Sequence, residues 1–323
     1  MNRKLKNVIV TGGAGFIGSH VVKKLNQSLP ETNVFVIDCL TYAGNMDNIA
    51  GTQAHLFCMD IRDRETLSNL DEMDIDAIIH LAAESHVDRS IENPMEFVET
   101  NVFGTVNLLE LALKYKAKNP NFIFYHISTD EVFGSLDFDD PSFNETTSYD
   151  PKSPYSASKA ASDHFVRAYS HTYGLNVLLS NCSNNYGPNQ YPEKLIPVVI
   201  QSLKDRKPIP IYGKGDNIRD WLHVEDHAEA IVSILQKGTF GETYCIGGDC
   251  EVSNMELIHK LIRIYDEIHS TKSESLISYV KDRPGHDIRY SINHDKLTKE
   301  LGWKPKRSII EGLVETVNWY LKN

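Results

Sequence analysis

The feature that most narrows what this chain can become is a glycine turn, Gly12-Gly13-Ala14-Gly15-Phe16-Ile17-Gly18. It stands between an apolar β-branched run, Val8-Ile9-Val10, and a helical pattern running from Phe16 to Leu29. A strand passes into a helix over so few residues only through a tight turn, and residues without a Cβ permit that turn. Glycines at 12, 15 and 18 give the spacing G-x-x-G-x-x-G, and Gly13 to Gly18 reads G-x-G-x-x-G. Such a turn lets the backbone approach a pyrophosphate, while the helix N-terminus offers free N–H groups and the positive end of its dipole. Gly12, Gly15, Phe16, Ile17 and Gly18 are therefore candidate dinucleotide contacts.

Val34-Phe35-Val36-Ile37 reads as a second strand. Asp38 ends it about 20 residues past Gly18, where a carboxylate accepts from a ribose 2′-OH. The same carboxylate repels a 2′-phosphate, which favours NAD over NADP. Asp60-Ile61, after a third strand, is placed to flank an adenine. Further apolar runs at 77–81, 122–127 and 177–179 alternate with helical patterns, notably 97–115 and 155–173. Strand–helix alternation with fully apolar strands predicts a parallel sheet covered on both faces. Pro and Gly then concentrate in 184–215, and helical patterns return at 225–237, 254–268 and 308–321. The expected fold is α/β. A Rossmann-type doubly wound parallel sheet spans residues 1–180, with part of 216–248 returning to it, and a smaller mixed α/β substrate lobe spans 181–323.

The chain carries 33 Lys and Arg against 44 Asp and Glu, a net charge of −11. Nucleic-acid backbones and anionic membranes would repel it, so neither is an expected partner. Five cysteines, Cys39, Cys58, Cys182, Cys245 and Cys250, show no CxxC spacing and an odd count. That argues against a disulfide framework or a cysteine zinc site and for a reducing cytoplasm. The apolar run after the basic start ends at Val10, too short for a signal-peptide core, and no stretch approaches a membrane span. No His, Asp or Glu grouping reads as a metal site.

Tyr155-Ser156-Ala157-Ser158-Lys159 places Tyr155 and Lys159 at i, i+4 on one face of a helix that Pro154 would start. A free tyrosine is a poor base at neutral pH. A nearby ammonium, together with the positive charge of an oxidised nicotinamide, favours the phenolate. Tyr155 then suits removal of a proton from a sugar hydroxyl as hydride leaves its carbon. Ser128-Thr129 ends the fifth apolar run, at a strand's carboxyl end, where open α/β sheets bind ligands. Asp130-Glu131 follows directly. Adjacent buried carboxylates resist co-ionisation, which sets up one acid and one base. An elimination needs that pair. Once carbon 4 of a hexose is a ketone, one carboxylate can take the carbon-5 proton and the other can protonate the leaving 6-hydroxyl. Alone, a Tyr–Lys pair or an acidic dipeptide is commonplace; downstream of a dinucleotide turn, together, they read as chemistry.

Thr129, Tyr155 and Lys159 resemble the catalytic set of the extended short-chain dehydrogenase/reductases, and the whole chain resembles their dTDP-glucose 4,6-dehydratase family. The likeness rests on Val10 through Ser19, Ala82-Ala83-Glu84-Ser85-His86-Val87-Asp88-Arg89-Ser90, and Ser128-Thr129-Asp130-Glu131-Val132-Phe133-Gly134. It continues in Tyr155 through Lys159, Ser183-Asn184-Asn185-Tyr186-Gly187-Pro188, Arg219-Asp220-Trp221-Leu222 and Asp282-Arg283-Pro284-Gly285-His286-Asp287. The Thr-Asp-Glu triplet separates it from 4-epimerases, which share the turn and the Tyr–Lys pair.

The resemblance implies bound NAD, regenerated each turn, and catalysis by Thr129, Asp130, Glu131, Tyr155 and Lys159. Tyr155 would take the 4-hydroxyl proton, Glu131 the carbon-5 proton, and Asp130 would protonate the leaving hydroxyl. The implied product is dTDP-4-keto-6-deoxyglucose, a precursor of rhamnose and other deoxysugars. Ser85, Thr129, Asn184, Lys194, Leu195, Pro210, Tyr212, Arg219, Asn254, Arg283 and His286 match positions around the nucleotide sugar. The guanidiniums of Arg219 and Arg283 suit a diphosphate through their planar fork. A homodimer through the helices near 97–115 and 155–173 is also implied. The chain departs from the family at Phe133 and His223, where tyrosine is frequent, and at Asn181, where arginine is frequent. The competing readings are a UDP-glucose 4-epimerase, another nucleotide-sugar dehydratase, and a non-catalytic NAD-sensing protein on the same fold.

Overall fold

The computed structural model describes residues 2–282 and 285–323. Its strands are β1 (Asn7–Thr11), β2 (Asn33–Asp38), β3 (His55–Cys58), β4 (Ala77–His80), β5 (Ile123–Thr129) and β6 (Asn176–Cys182). They continue with β7 (Asn184–Tyr186), β8 (Ile209–Tyr212), β9 (Ile218–His223), β10 (Thr243–Ile246), β11 (Glu251–Ser253) and β12 (Ile277–Val280). Seven of these form one parallel sheet in the order β10-β6-β5-β4-β1-β2-β3.

The strands read as continuous apolar runs because both faces are covered. Val8, Val10, Val34, Val36, Ile79 and Tyr125 pack with Val21, Val22 and Leu25 of helix Phe16–Ser28 and with Ile231 and Leu235 of helix Val224–Lys237. Their neighbours Ile9, Ile37, Ile78 and Phe124 point the other way, onto Leu108 and Leu109 of helix Gly104–Lys118 and Val166 of helix Pro154–Tyr173. Each such side chain buried contributes about 1.5–3 kcal/mol. The strand order reverses at β1, whose neighbours are β2 and β4. That reversal opens a crevice at the strands' carboxyl ends, the usual ligand position in such sheets.

Local chemistry sets the helix that faces this crevice. Ser153 caps it, its Oγ accepting from Ser156 N at 3.1 Å while Ser156 Oγ accepts from Ser153 N at 2.9 Å. Pro154 occupies the first turn and Gly174 ends the helix in the left-handed region at φ 63°. The helical pattern read at 97–115 is not one regular helix. It starts at Pro94, widens into a π segment over Val98–Phe103, and resumes as Gly104–Lys118. The wide turn sends Asn101 inward, where its Oδ1 accepts from Glu84 N at 2.9 Å and its Nδ2 donates to Glu84 O and Ser158 Oγ. A 3.6-residue pattern does not report such a bulge.

The remaining strands form a three-stranded β11-β9-β7 sheet and a two-stranded β12-β8 sheet. Helices Leu195–Asp205, Asn254–His269 and Ile309–Lys322 close a separate apolar cluster around Leu203, Leu257, Leu261, Leu313 and Val317. Among the described residues, no helix is long and apolar enough to cross a membrane.

Candidate active site

A cavity of ≈ 350 Å³ lies along the carboxyl ends of β1, β2, β4, β5 and β6. The glycine turn forms one end. Gly12 has φ +70°, and a Cβ there would lie 2.8 Å from Ala82 N; a Cβ on Gly18 would lie 2.1 Å from Gly12 O. The turn is therefore bare backbone facing the cavity, the cradle a pyrophosphate requires. Asp38 stitches it to the end of β2, its Oδ2 accepting from Ala14 N at 3.0 Å and its Oδ1 from Leu40 N at 2.9 Å. Farther along, Asp60 pairs with Arg62 at 2.6 Å. Burial pushes the Asp60 carboxyl up, but the Arg62 hydrogen bonds win and hold it below the ordinary range. Phe16, Ile17 and Ile61 complete this wall. The residues present fit an elongated dinucleotide.

The other end is built by β5 and helix Pro154–Tyr173. Thr129 ends β5 and caps the short turn Asp130–Phe133, its Oγ1 accepting from Glu131 N at 3.3 Å. Thr129 also hydrogen-bonds the Tyr155 phenol. The Tyr155 ring stands edge-on to Phe97 at 6.3 Å, and Lys159 Nζ donates to Ile127 O at 2.8 Å. Asp130, Glu131, Tyr155 and Lys159 all line the cavity. Asp130 is 2% exposed. Burial pushes its carboxyl well above the usual range, Glu131 and Asp220 add to that, and Arg219 opposes. Burial thus favours its proton-bearing form, beside a second carboxyl on the next residue.

Burial pushes the Tyr155 phenol well up, with Glu131 adding to it and the Thr129 hydrogen bond opposing. The Lys159 ammonium is aimed at a backbone carbonyl.

Ser85, Asn184 and Lys194 line the same cavity, and Lys194 Nζ donates to Ser85 O at 3.0 Å. Leu195, Pro210, Tyr212, Arg219, Asn254 and His286 lie outside that lining. The Tyr212 ring stands edge-on to His286 at 6.5 Å. Asn254 N donates to Asn217 O at 3.0 Å. The buried Arg219 guanidinium donates to Ile218 O at 2.7 Å and Asp287 O at 3.0 Å, and lies 4.3 Å over the Tyr290 ring. Arg283 lies outside the described residues. His86 caps helix Val87–Glu92 through Nδ1, a structural task.

Three features of the cavity and of the residues that support it escaped the sequence. Cys182 lines the floor beside Ser128 O. Asn101 locks the loop after β4 to the Tyr155 helix. Tyr42 takes the Arg89 guanidinium over its ring at 3.7 Å, and Arg89 pairs with Glu193 at 3.5 Å. Each depends on packing between distant segments. Arg89 and Glu193 do fall within or beside motifs singled out at 82–90 and 183–188.

Comparison with known proteins agrees with this geometry. A family model described as GDP-mannose 4,6 dehydratase matches residues 9–316. A dTDP-glucose 4,6-dehydratase of Salmonella typhimurium is 49% identical over 336 residues, covering 98% of this chain and 93% of that one. The crystal structure of dTDP-glucose 4,6-dehydratase from Streptomyces venezuelae, with NAD bound, is similar at TM-score 0.90 and 45% identity, covering 98% of this chain and 97% of that one. A UDP-glucose 4-epimerase of Thermotoga maritima is similar at TM-score 0.88 but 30% identity, covering 98% and 99%. The chain belongs to the dTDP-glucose 4,6-dehydratase family, a family of NAD-dependent hydro-lyases.

Proposed function

We propose that this protein converts dTDP-glucose to dTDP-4-keto-6-deoxyglucose and water with NAD as a resident cofactor. The observation that carries the reading is the Asp130–Glu131 pair beside Tyr155 and Lys159, with Asp130 buried and its carboxyl pushed toward the protonated form. A 4-epimerase has no use for a protonated carboxyl there; an elimination does.

The bare turn Gly12–Gly18, Asp38, Asp60 and Ile61 would hold the dinucleotide, with Tyr155 and Lys159 at its reactive end, and Asp38 favours NAD over NADP. When bound, NAD supplies a positively charged, reversible hydride acceptor between carbon 4 and carbon 6. Tyr155 removes the 4-hydroxyl proton, assisted by the Thr129 hydroxyl. Glu131 takes the carbon-5 proton and later returns it. Asp130 gives its proton to the departing 6-hydroxyl. Ser85 faces the sugar. Asn184, Lys194, Leu195, Pro210, Tyr212, Arg219, Asn254, Arg283 and His286 hold the nucleoside diphosphate. The cofactor part comprises residues 1–180 with part of 216–248, and the nucleotide-sugar lobe the rest of 181–323. A homodimer through helices 94–118 and 154–173 is supported by the apolar side chains they leave exposed, Met95, Val98, Phe103, Phe165 and Tyr173. Free cysteines at all five positions support a reducing cytoplasm, and the product class is the feedstock of rhamnose and other 6-deoxysugars.

The test is mass spectrometry of dTDP-glucose incubated with purified protein and no added NAD, with UDP-glucose in parallel. Loss of one water from dTDP-glucose alone is expected. An unchanged mass with inversion at carbon 4 would make the protein an epimerase, and no reaction with either sugar would favour the sensor reading.

A further inference from the structure

Helix Pro154–Tyr173 carries a third ionisable side chain on the stripe that holds Tyr155 and Lys159. Tyr155, Lys159 and Asp163 follow one another at four-residue intervals, so they share one helical face. Asp163 is 0% exposed. Three donors from three other segments converge on its Oδ2: Ser128 Oγ of β5 at 2.9 Å, Tyr149 OH at 2.7 Å, and Asn181 Nδ2 of β6 at 3.5 Å. His126 Nε2 lies 3.1 Å from Oδ1. A site lined with donors holds a carboxylate rather than a carboxylic acid. Burial pushes Asp163 up, but His126, Lys159 and Tyr149 bring it below the ordinary range.

A buried carboxylate needs a counter-charge. His126 does not supply it, because burial, with Lys159 adding to it, holds that imidazole down to about 4 and it is neutral at pH 7. Arg167 reaches only the far side, donating to Tyr149 OH at 2.9 Å. Lys159 is the buried cation on Asp163's own stripe, and it has the converse problem. The groups that face Lys159 from the sheet are His80 of β4, His126 of β5 and Cys182 of β6. Burial keeps both imidazoles neutral and pushes the Cys182 thiol up, so none of the three is an anion at pH 7. Tyr155 in turn faces Glu131, Asp130 and Cys182.

We propose that Asp163 is a positioning residue of the active site: its buried carboxylate keeps Lys159 a charged ammonium, fixed on the Ile127 carbonyl beside Tyr155. The proposal rests on the reading of Tyr155 as the base. The link to the site runs through hydrogen bonds to three consecutive residues at the end of β5. Ser128, which donates to Asp163, stands between Ile127, which accepts from Lys159, and Thr129, which bonds Tyr155.

Asp163→Asn keeps the shape and one acceptor oxygen while removing the charge. With its counter-charge gone, Lys159 sheds its proton more readily and Tyr155 loses its cationic neighbour. The acid limb of the pH–rate profile for dehydration is then expected to move up by at least one pH unit, with kcat falling tenfold or more and KM little changed. A residue of purely structural importance would lower the rate without moving that limb, and an unmoved limb would overturn the coupling to Tyr155. Thermal unfolding of the NAD-saturated protein supplies a readout that needs no substrate and survives poor folding of the single variant. Lys159→Met strands the carboxylate, and the double variant Lys159→Met/Asp163→Asn removes both charges. The double variant is expected to melt above Lys159→Met. A lower melting point, or additive losses, would overturn the pairing. A wild-type protein inert toward dTDP-glucose would sink the functional reading and leave the melting cycle to decide the pair.

Discussion

Asp130 concentrates the chemistry of the site into one side chain. Its folded-state proton affinity is raised by burial and by Glu131, above that of an unfolded aspartate near 3.9. The sign follows from linkage. Stability from this group is fully present below the unfolded value and is lost as pH rises through the folded one, because the folded chain must keep a proton the unfolded chain releases. Asp130→Asn should therefore raise the melting temperature at pH 7 by about 2 °C or more, and the gain should shrink as pH falls toward 5. The same change should cut dehydration by about 100-fold or more, since it removes the acid. Melting by differential scanning fluorimetry alongside water loss by mass spectrometry checks both, and a loss of stability at neutral pH would contradict the burial account. The dipeptide's chemical possibilities could be read from residue types alone. Its protonation could not, because Asp220, about 90 positions on, contributes to it. Asp163 stayed hidden for the same reason: its partners come from 126, 128, 149 and 181.

At the level of elements, the glycine turn makes the most direct demand. Gly18 cannot accept a methyl group, because backbone rather than a movable side chain stands 2.1 Å from where it would sit. Gly18→Ala should open the turn, and the protein should purify with at least about tenfold less bound dinucleotide, since the cradle geometry supplies much of the phosphate contact. Chromatography of the acid-released nucleotide measures this, and full occupancy in the variant would show that the turn is not the cradle. Strands β1, β2, β4 and β5 were readable because each is an apolar run covered on both faces, and the start of the Tyr155 helix because Pro154 is a local signal. The π segment at Val98–Phe103 was not, since it is imposed by Asn101 reaching Glu84 and Ser158 rather than by propensity.

Across the whole molecule, the buried histidines set an acid limit. Burial holds His126 and His223 to about 4 and His227 to about 3, each below an unfolded value near 6.5. A histidine lowered in this way costs nothing above pH 6.5. As pH falls from there toward the folded value, the unfolded chain takes up protons the folded one refuses, and stability drains away. The melting temperature should therefore drop steeply between pH 6.5 and 4.5, and a flat profile over that range would contradict it. The sheet itself has a further consequence, in time rather than energy. Strand β10 pairs with β6 along Leu179–Cys182, yet it is synthesised after the whole of β7, β8 and β9. While the ribosome adds the roughly 60 intervening residues, at about 5–20 per second, the apolar edge of β6 has no permanent neighbour for several seconds. During synthesis, that edge is where a chaperone would find this chain, and where two nascent copies would find each other.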